Sequence, residues 1–164
     1  MKELSLHILD LAQNSISAGA SLIIISVLED RDADTLKIEI TDDGSGMDVD
    51  LLKAVDDPFT TTRSTRNVGM GIPLMKQVMQ LAGGDLHIES EKGRGTKLSG
   101  WCRISSIDRL PLGNVADTIY TLIIMNPDLD FEFTLGSDSN DFALDTRQMK
   151  RILGDIPLNT PDVS

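Results

Sequence analysis

The sequence predicts an α+β protein, because segments with helical spacing alternate with pairs of short strands joined by polar turns. Leu4, Ile8, Leu11, Ala12, Ser15 and Ile16 fall near a helical period, and Gly19 follows as a stop. The β-branched run from Leu22 to Leu28 reads as a buried strand. Beyond the polar stretch Glu29 to Asp34, residues Leu36 to Ile40 alternate as its half-buried partner.

The remaining elements follow in the same manner. A short helix is expected over Val49 to Val55, and Asp56 to Gly71 reads as a mobile loop of small polar residues. Pro73 suits the first turn of the next helix, on which Leu74, Val78, Leu81 and Ala82 are expected to face one way. Gly83-Gly84 ends it. Strands are expected over Asp85 to Ser90 and Thr96 to Ile104, joined by E-K-G-R-G. After a linker over Ser105 to Pro111, Leu112, Val115, Ala116, Ile119, Leu122 and Ile123 take helical spacing up to Asn126-Pro127. Phe131, Phe133 and Leu135 alternate as a strand, and Phe142 with Leu144 form its return across S-D-S-N-D. Asp145 and Gln148 suit a capping box for a last helix, Thr146 to Leu153, before a tail that frays from Asn159.

Composition bounds the function. The 164 residues can bury a core without disulfides, and with only 4% aromatics that core rests on Leu, Ile, Val and Met. A net charge of −11 repels phosphate backbones and anionic lipid, which argues against nucleic acid and membranes as partners. A lone Cys102 and no signal peptide or long apolar run point to the reducing cytoplasm.

Three segments carry chemistry. Asp10 and Asn14 lie four apart on the first helix, next to each other on one face. An amide oxygen beside a carboxylate suits Mg²⁺ and a polarised water, although the pair taken alone is also an ordinary polar stripe. Asp42 leaves a strand into D-D-G-S-G, where a carboxylate can accept from an exocyclic amine and Gly44 and Gly46 permit close approach to a flat base. The alternative is a tight Asp-Gly turn. Finally, Thr61, Thr62 and Arg63 precede Gly69 and Gly71 at a helix start, a plausible phosphate cradle of hydroxyls, guanidinium and free amides. No Walker loop or dinucleotide fingerprint is present.

Together these segments resemble the ATP-binding domain of the gyrase, heat-shock chaperone, histidine kinase and mismatch-repair (GHKL) superfamily. The helix D-L-A-Q-N is similar to its N-box, I-T-D-D-G-S-G-M to its first glycine box, and P-F-T-T-T-R to the P-F-x-T-T-K stretch of histidine kinases. N-V-G-M-G and the closing G-R-G-T resemble the second glycine box and the final G-x-G-T. The resemblance covers residues 4 to 104 and implies a two-layer α/β sandwich, with helices on one face of a mixed, mostly antiparallel sheet. It implies that ATP and Mg²⁺ are the cofactors, with Asn14 as metal ligand and Asp42 on the adenine amine. Gly44 and Gly46 would line the base, Gly69 and Gly71 open the phosphate-binding helix, and Thr96 lie near the base side. Residues Asp56 to Val68 would form an ATP lid. Asp10 stands where hydrolytic members carry Glu, Arg63 where kinases carry Lys, Asn67 where many members carry Gly, and Ser17 where many kinases carry Lys.

The expected organisation is an ATP-binding domain over 1–104 and a C-terminal extension over 105–164 folded as helix, hairpin, helix. The extension holds ten Asp and Glu against four Lys and Arg, and reads equally as a packed structural addition or a partner-docking or dimerisation module. No phospho-accepting helical hairpin is expected ahead of the N-box, because the sequence starts almost at it. The expected function is therefore a stand-alone, cytoplasmic MgATP-binding switch or kinase-like subunit that acts on a protein partner. An anti-sigma-type serine kinase, or an ATPase with Asp10 as general base, are the alternatives. His7, one turn before Asp10, is expected to be a partly buried structural residue, and His87 a surface one.

Overall fold

The computed structural model describes residues 3–46, 71–136 and 141–148. In chain order the elements are α1 (Leu4–Ser17), β1 (Leu22–Asp30), β2 (Thr35–Asp42), α2 (Gly71–Leu81), β3 (Asp85–Glu91), β4 (Gly95–Arg103), α3 (Val115–Met125), β5 (Asp130–Gly136) and β6 (Asp141–Asp145). The helix expected over 49–55, all but the last residue of the loop expected over 56–71, most of the last helix and the tail lie outside the described residues, and Gly71 itself opens α2.

One six-stranded sheet runs in the order β3-β4-β2-β1-β5-β6. Its pairs are antiparallel except β1 with β5, which run parallel. Alternation decides which side is covered. Ile23, Ile25 and Val27 on β1, with Leu36, Ile38 and Ile40 on β2, are buried, while their neighbours in sequence are at least partly open to solvent. The three helices pack on that buried side: α1 on β2, α2 on β3 and β4, α3 on β5, with α1 between the other two. This is the two-layer α+β arrangement with a mixed, mostly antiparallel sheet.

The segment after residue 104 shares this sheet and core over its described part. Phe131 and Phe133 on β5 are almost fully buried, and Val115, Ile119 and Leu122 of α3 join the same apolar cluster as α1. Asn114 caps α3 by accepting from the Asp117 amide at 3.0 Å, and Asp145 accepts from the Arg147 amide at 2.9 Å where the last helix begins.

The stripe on α2 matches the expected one in part: Ala82 is buried and Val78 packs against the core, but the two leucines face outward. Leu74 is 37% and Leu81 68% exposed, whereas Ile72, Met75, Met79 and Ala82 are buried. A period of three and four fits both sets, and the sheet selects the second because unbranched methionines fill its irregular surface. Met79 reaches the space left open by Gly100 on β4.

Helix α1 has no side-chain cap at its start. Instead, the Leu4 and Ser5 amides donate to the Pro111 and Leu112 carbonyls, each at 2.9 Å, so the strand of chain leading to α3 closes that helix end.

His7 is 4% exposed, and among the described residues neither of its ring nitrogens has a hydrogen-bond partner. His87, by contrast, projects from β3 into solvent. Burial holds the His7 imidazole below the usual histidine range, against a smaller opposing pull from Asp10. The unfolded chain therefore binds a proton that the fold resists, so this contribution is intact above the unfolded value of 6.5 and fades as pH falls below it. Urea titrations at pH 7.5 and 5.5 should show stability falling between them. In His7→Leu the fall should shrink, and stability at pH 7.5 should rise by about 1 kcal/mol. An unchanged pH dependence in the variant would place the titrating group elsewhere.

Candidate functional site

The site forms where α1 meets the end of β2. Asp10 and Asn14 lie half-buried one turn apart on α1. Asp42 is the last residue of β2, on the helix-facing side by alternation with Ile38 and Ile40. Ser15, buried next to Asn14, donates its hydroxyl to Asp42 Oδ2 at 2.6 Å. The other carboxylate oxygen, Oδ1, accepts from the Gly44 amide at 2.9 Å.

The next carboxylate turns the other way, as strand alternation requires. Asp43 accepts from the Ser21 amide and hydroxyl, both at 2.7 Å, and from the Leu22 amide at 3.0 Å. These donors, led by the Leu22 amide and the Ser21 hydroxyl, hold the Asp43 carboxyl below the usual carboxylate range. The adjacent acids thus perform separate tasks: Asp42 meets α1, and Asp43 anchors the start of β1.

The glycines of the turn are explained by the protein itself. The Ser45 amide donates to the Ala18 carbonyl at 2.8 Å, and a Cβ at Gly44 would lie 2.9 Å from that same oxygen. Gly46 takes φ +69°, and a Cβ there would overlap the Glu91 carbonyl, while the Gly93 amide donates to the Ser45 carbonyl at 2.6 Å. The turn is wedged between the end of α1 and the β3–β4 connection.

Thr96 stands opposite Asp42 in the β2–β4 register, and Ser90 opposite Thr96 in the β3–β4 register. The two hydroxyls lie 2.8 Å apart. Asp42, Thr96 and Ser90 therefore make one polar row across three strands at this end of the sheet, bordering a shallow hollow that also takes in Arg94 and Lys97. Gly71 opens α2, which packs beside α1. Thr61, Thr62, Arg63 and Gly69 lie outside the described residues.

The structure thus gathers Asn14, Asp42, Gly44, Gly46 and Thr96 around one end of the sheet, with Asp10 one helical turn away. Sequence reasoning passed over Ser15, Ser21, Asp43 and Ser90. Ser15 was read only as part of the helical period and Ser21 and Ser90 stand outside any pattern, since only the pairing of elements distant in sequence gives these hydroxyls partners. Oxygen donors from an amide and a carboxylate on one helix face suit a hard cation, and Asp42 offers acceptors to a base amine.

Comparison with known proteins places the fold. The family described as histidine kinase-, DNA gyrase B-, and HSP90-like ATPase matches residues 2–105. The chain belongs to that family. The sensor histidine kinase ZraS of Escherichia coli (strain K12) is 28% identical over 106 residues, which span 65% of this chain and 23% of that protein. The anti-sigma F factor of Clostridium acetobutylicum is 35% identical over 80 residues, 49% of this chain and 50% of that one. The chain therefore spans a quarter to a half of the length of these relatives. Among solved structures, the N-terminal domain of a DNA repair protein superposes with TM-score 0.60 at 15% identity, covering 88% of this chain and 53% of that one. The Aquifex aeolicus MutL ATPase domain complexed with ADP gives 0.53 at 13% identity, covering 93% and 69%. The likeness of fold thus covers a larger share of the chain than the family match, which ends at residue 105.

The wedge geometry makes a prediction for the turn. Gly46→Ala should destabilise the protein by about 2–4 kcal/mol, combining the left-handed backbone with overlap on Glu91. Gly93, which also has positive φ but open space around it, should cost less on the same substitution. Chemical denaturation of the two variants side by side checks this, and equal losses would contradict the wedge.

Proposed function

We propose that this ATPase-family domain binds MgATP at the end of β2 and works as a nucleotide-dependent regulatory switch or kinase-like subunit acting on a protein partner. The observation that carries the reading is the Asp42 carboxylate, held from both sides and presented at the end of its strand. Asp42 accepts the adenine amine, Thr96 and Ser90 continue the polar row beside it, and Asn14 supplies an oxygen to Mg²⁺. Bound Mg²⁺ screens the phosphate charges in a chain whose own net charge is −11. In the alternative reading as an ATPase, Asp10, one turn from Asn14 on α1, serves as the general base that polarises a water. Thr61, Thr62, Arg63, Gly69 and Gly71 form the phosphate side of the site in this reading. Among the described residues no helix is long and apolar enough to cross a membrane. The buried Cys102 thiol suits a reducing cytoplasm.

A second reading, phosphorylation of a serine on a partner, draws on the anti-sigma F factor relative. Labelled ATP incubated with candidate partners separates the two, since only a kinase leaves label on the partner.

Calorimetric titration with ATP and ADP, with and without Mg²⁺, tests the site. Binding of ATP should strengthen with Mg²⁺ in the wild type and fall by at least about tenfold in Asp42→Ala. Asn14→Ala should remove the Mg²⁺ dependence before it removes binding in metal-free buffer. Wild-type protein that binds neither nucleotide would overturn the proposal.

A further inference from the structure

We infer that Ser15 is a positioning residue for base recognition: its hydroxyl fixes the plane of the Asp42 carboxylate, and thereby the preference for a purine that carries a 6-amino group. The inference rests on the nucleotide site proposed above and assigns to it a determinant that lies outside the expected boxes.

Two bonds hold Asp42, and they come from different elements. Ser15 on α1 donates to Oδ2 at 2.6 Å, and the Gly44 amide in the turn donates to Oδ1 at 2.9 Å. The last torsion of an aspartate is broad on its own, so a single bond leaves the carboxylate free to swing. Bonds to both oxygens, from two different elements, restrain that motion. The Gly44 bond is local, two residues away, and moves with the turn. Ser15 is 27 residues away on a packed helix and gives the carboxylate a reference outside its own turn.

Ser15 itself is only 4% exposed. A serine inside a helix ordinarily returns its hydrogen to the carbonyl one turn back. Here the one hydroxyl hydrogen goes across to the sheet instead, at the short distance expected of a bond to a carboxylate. The sheet neighbours do not replace it: Thr96 and Ser90 bond to each other along the row, while the support for Asp42 arrives from the helix layer.

The chemistry of discrimination follows. A carboxylate offers acceptors, so it rewards a donor on the base. Adenine presents its 6-amino group, whereas unsubstituted purine has only a C–H at that position. A locked carboxylate meets the amine at one angle and gains the full hydrogen bond, and a swinging one gains part of it. Because Ser15 directly follows Asn14, the same turn of α1 sets both the metal ligand and the base acceptor.

A purely structural Ser15, tying α1 to β2, would affect every nucleotide alike. The test therefore compares MgATP with the Mg²⁺ complex of purine riboside 5′-triphosphate, which lacks the amine, by calorimetry on the full chain. Wild type, Ser15→Ala and Asp42→Asn are measured, with the fold of each checked by circular dichroism. Wild type should prefer ATP by about tenfold or more. In Ser15→Ala the preference should shrink to about threefold or less, with affinity for the analogue changed by less than about twofold. An undiminished preference in folded Ser15→Ala overturns the inference and leaves the site reading intact. Equal binding of both nucleotides by wild type, or of neither, overturns the base reading itself. Should Ser15→Ala fail to fold, Ser15→Cys keeps the volume with a much weaker donor, and the same ratio decides.

Discussion

The connection between α1 and β1 is the part on which the rest of the structure depends, and it is gripped by the end of β2 and the turn that follows it. Asp42 takes the hydroxyl of Ser15, Ser45 reaches the Ala18 carbonyl, and Asp43 takes both polar hydrogens of Ser21 together with the Leu22 amide. A helix end and a strand start, brought side by side, would each leave backbone groups without partners. Here one turn satisfies both. Ionised acceptors make these bonds stronger than neutral ones, which suits a junction with little apolar surface of its own.

From that junction the layers follow. With the end of α1 fixed, its apolar face lies along the sheet between α2 and α3, and the residues on its site-facing turn point at the end of β2. The core that holds the layers together is nearly free of aromatics, and Phe131 and Phe133 on β5 are its largest members. Elsewhere aliphatic and methionine side chains interlock, which makes the position of each helix depend on many small contacts rather than on one large anchor.

Much of this was legible in the sequence. The helical period of α1, the hairpin of β1 and β2, and the D-D-G-S-G turn at its end all declare themselves locally, and the order of the boxes nominated Asn14, Asp42 and Thr96, which the fold brings to one end of the sheet. What was hidden depends on pairing between distant elements. The buried stripe of α2 could not be chosen from spacing, because Leu74 and Leu81 fit a helix as well as Met75 and Met79 do. The period that includes Ser15 says nothing of its bond to Asp42, Ser21 carries no periodic signal, and Gly44 and Gly46 look like concessions to a ligand when their open space is filled by Ala18 and Glu91. The alternation of β5 was visible, but its parallel partner was not, since nothing within either strand specifies the other.

That parallel pairing has a consequence for how the chain is assembled. Strand β1 is a mostly apolar run whose second edge is closed only when β5 arrives, more than a hundred residues later in synthesis. Until then the growing chain carries Leu22–Leu28 as a sticky, unpaired border, open to pairing with another molecule. The same holds for any fragment cut at the boundary of the family match. The segment beyond the family match thus covers a strand edge that the boxes and their own hairpin leave open.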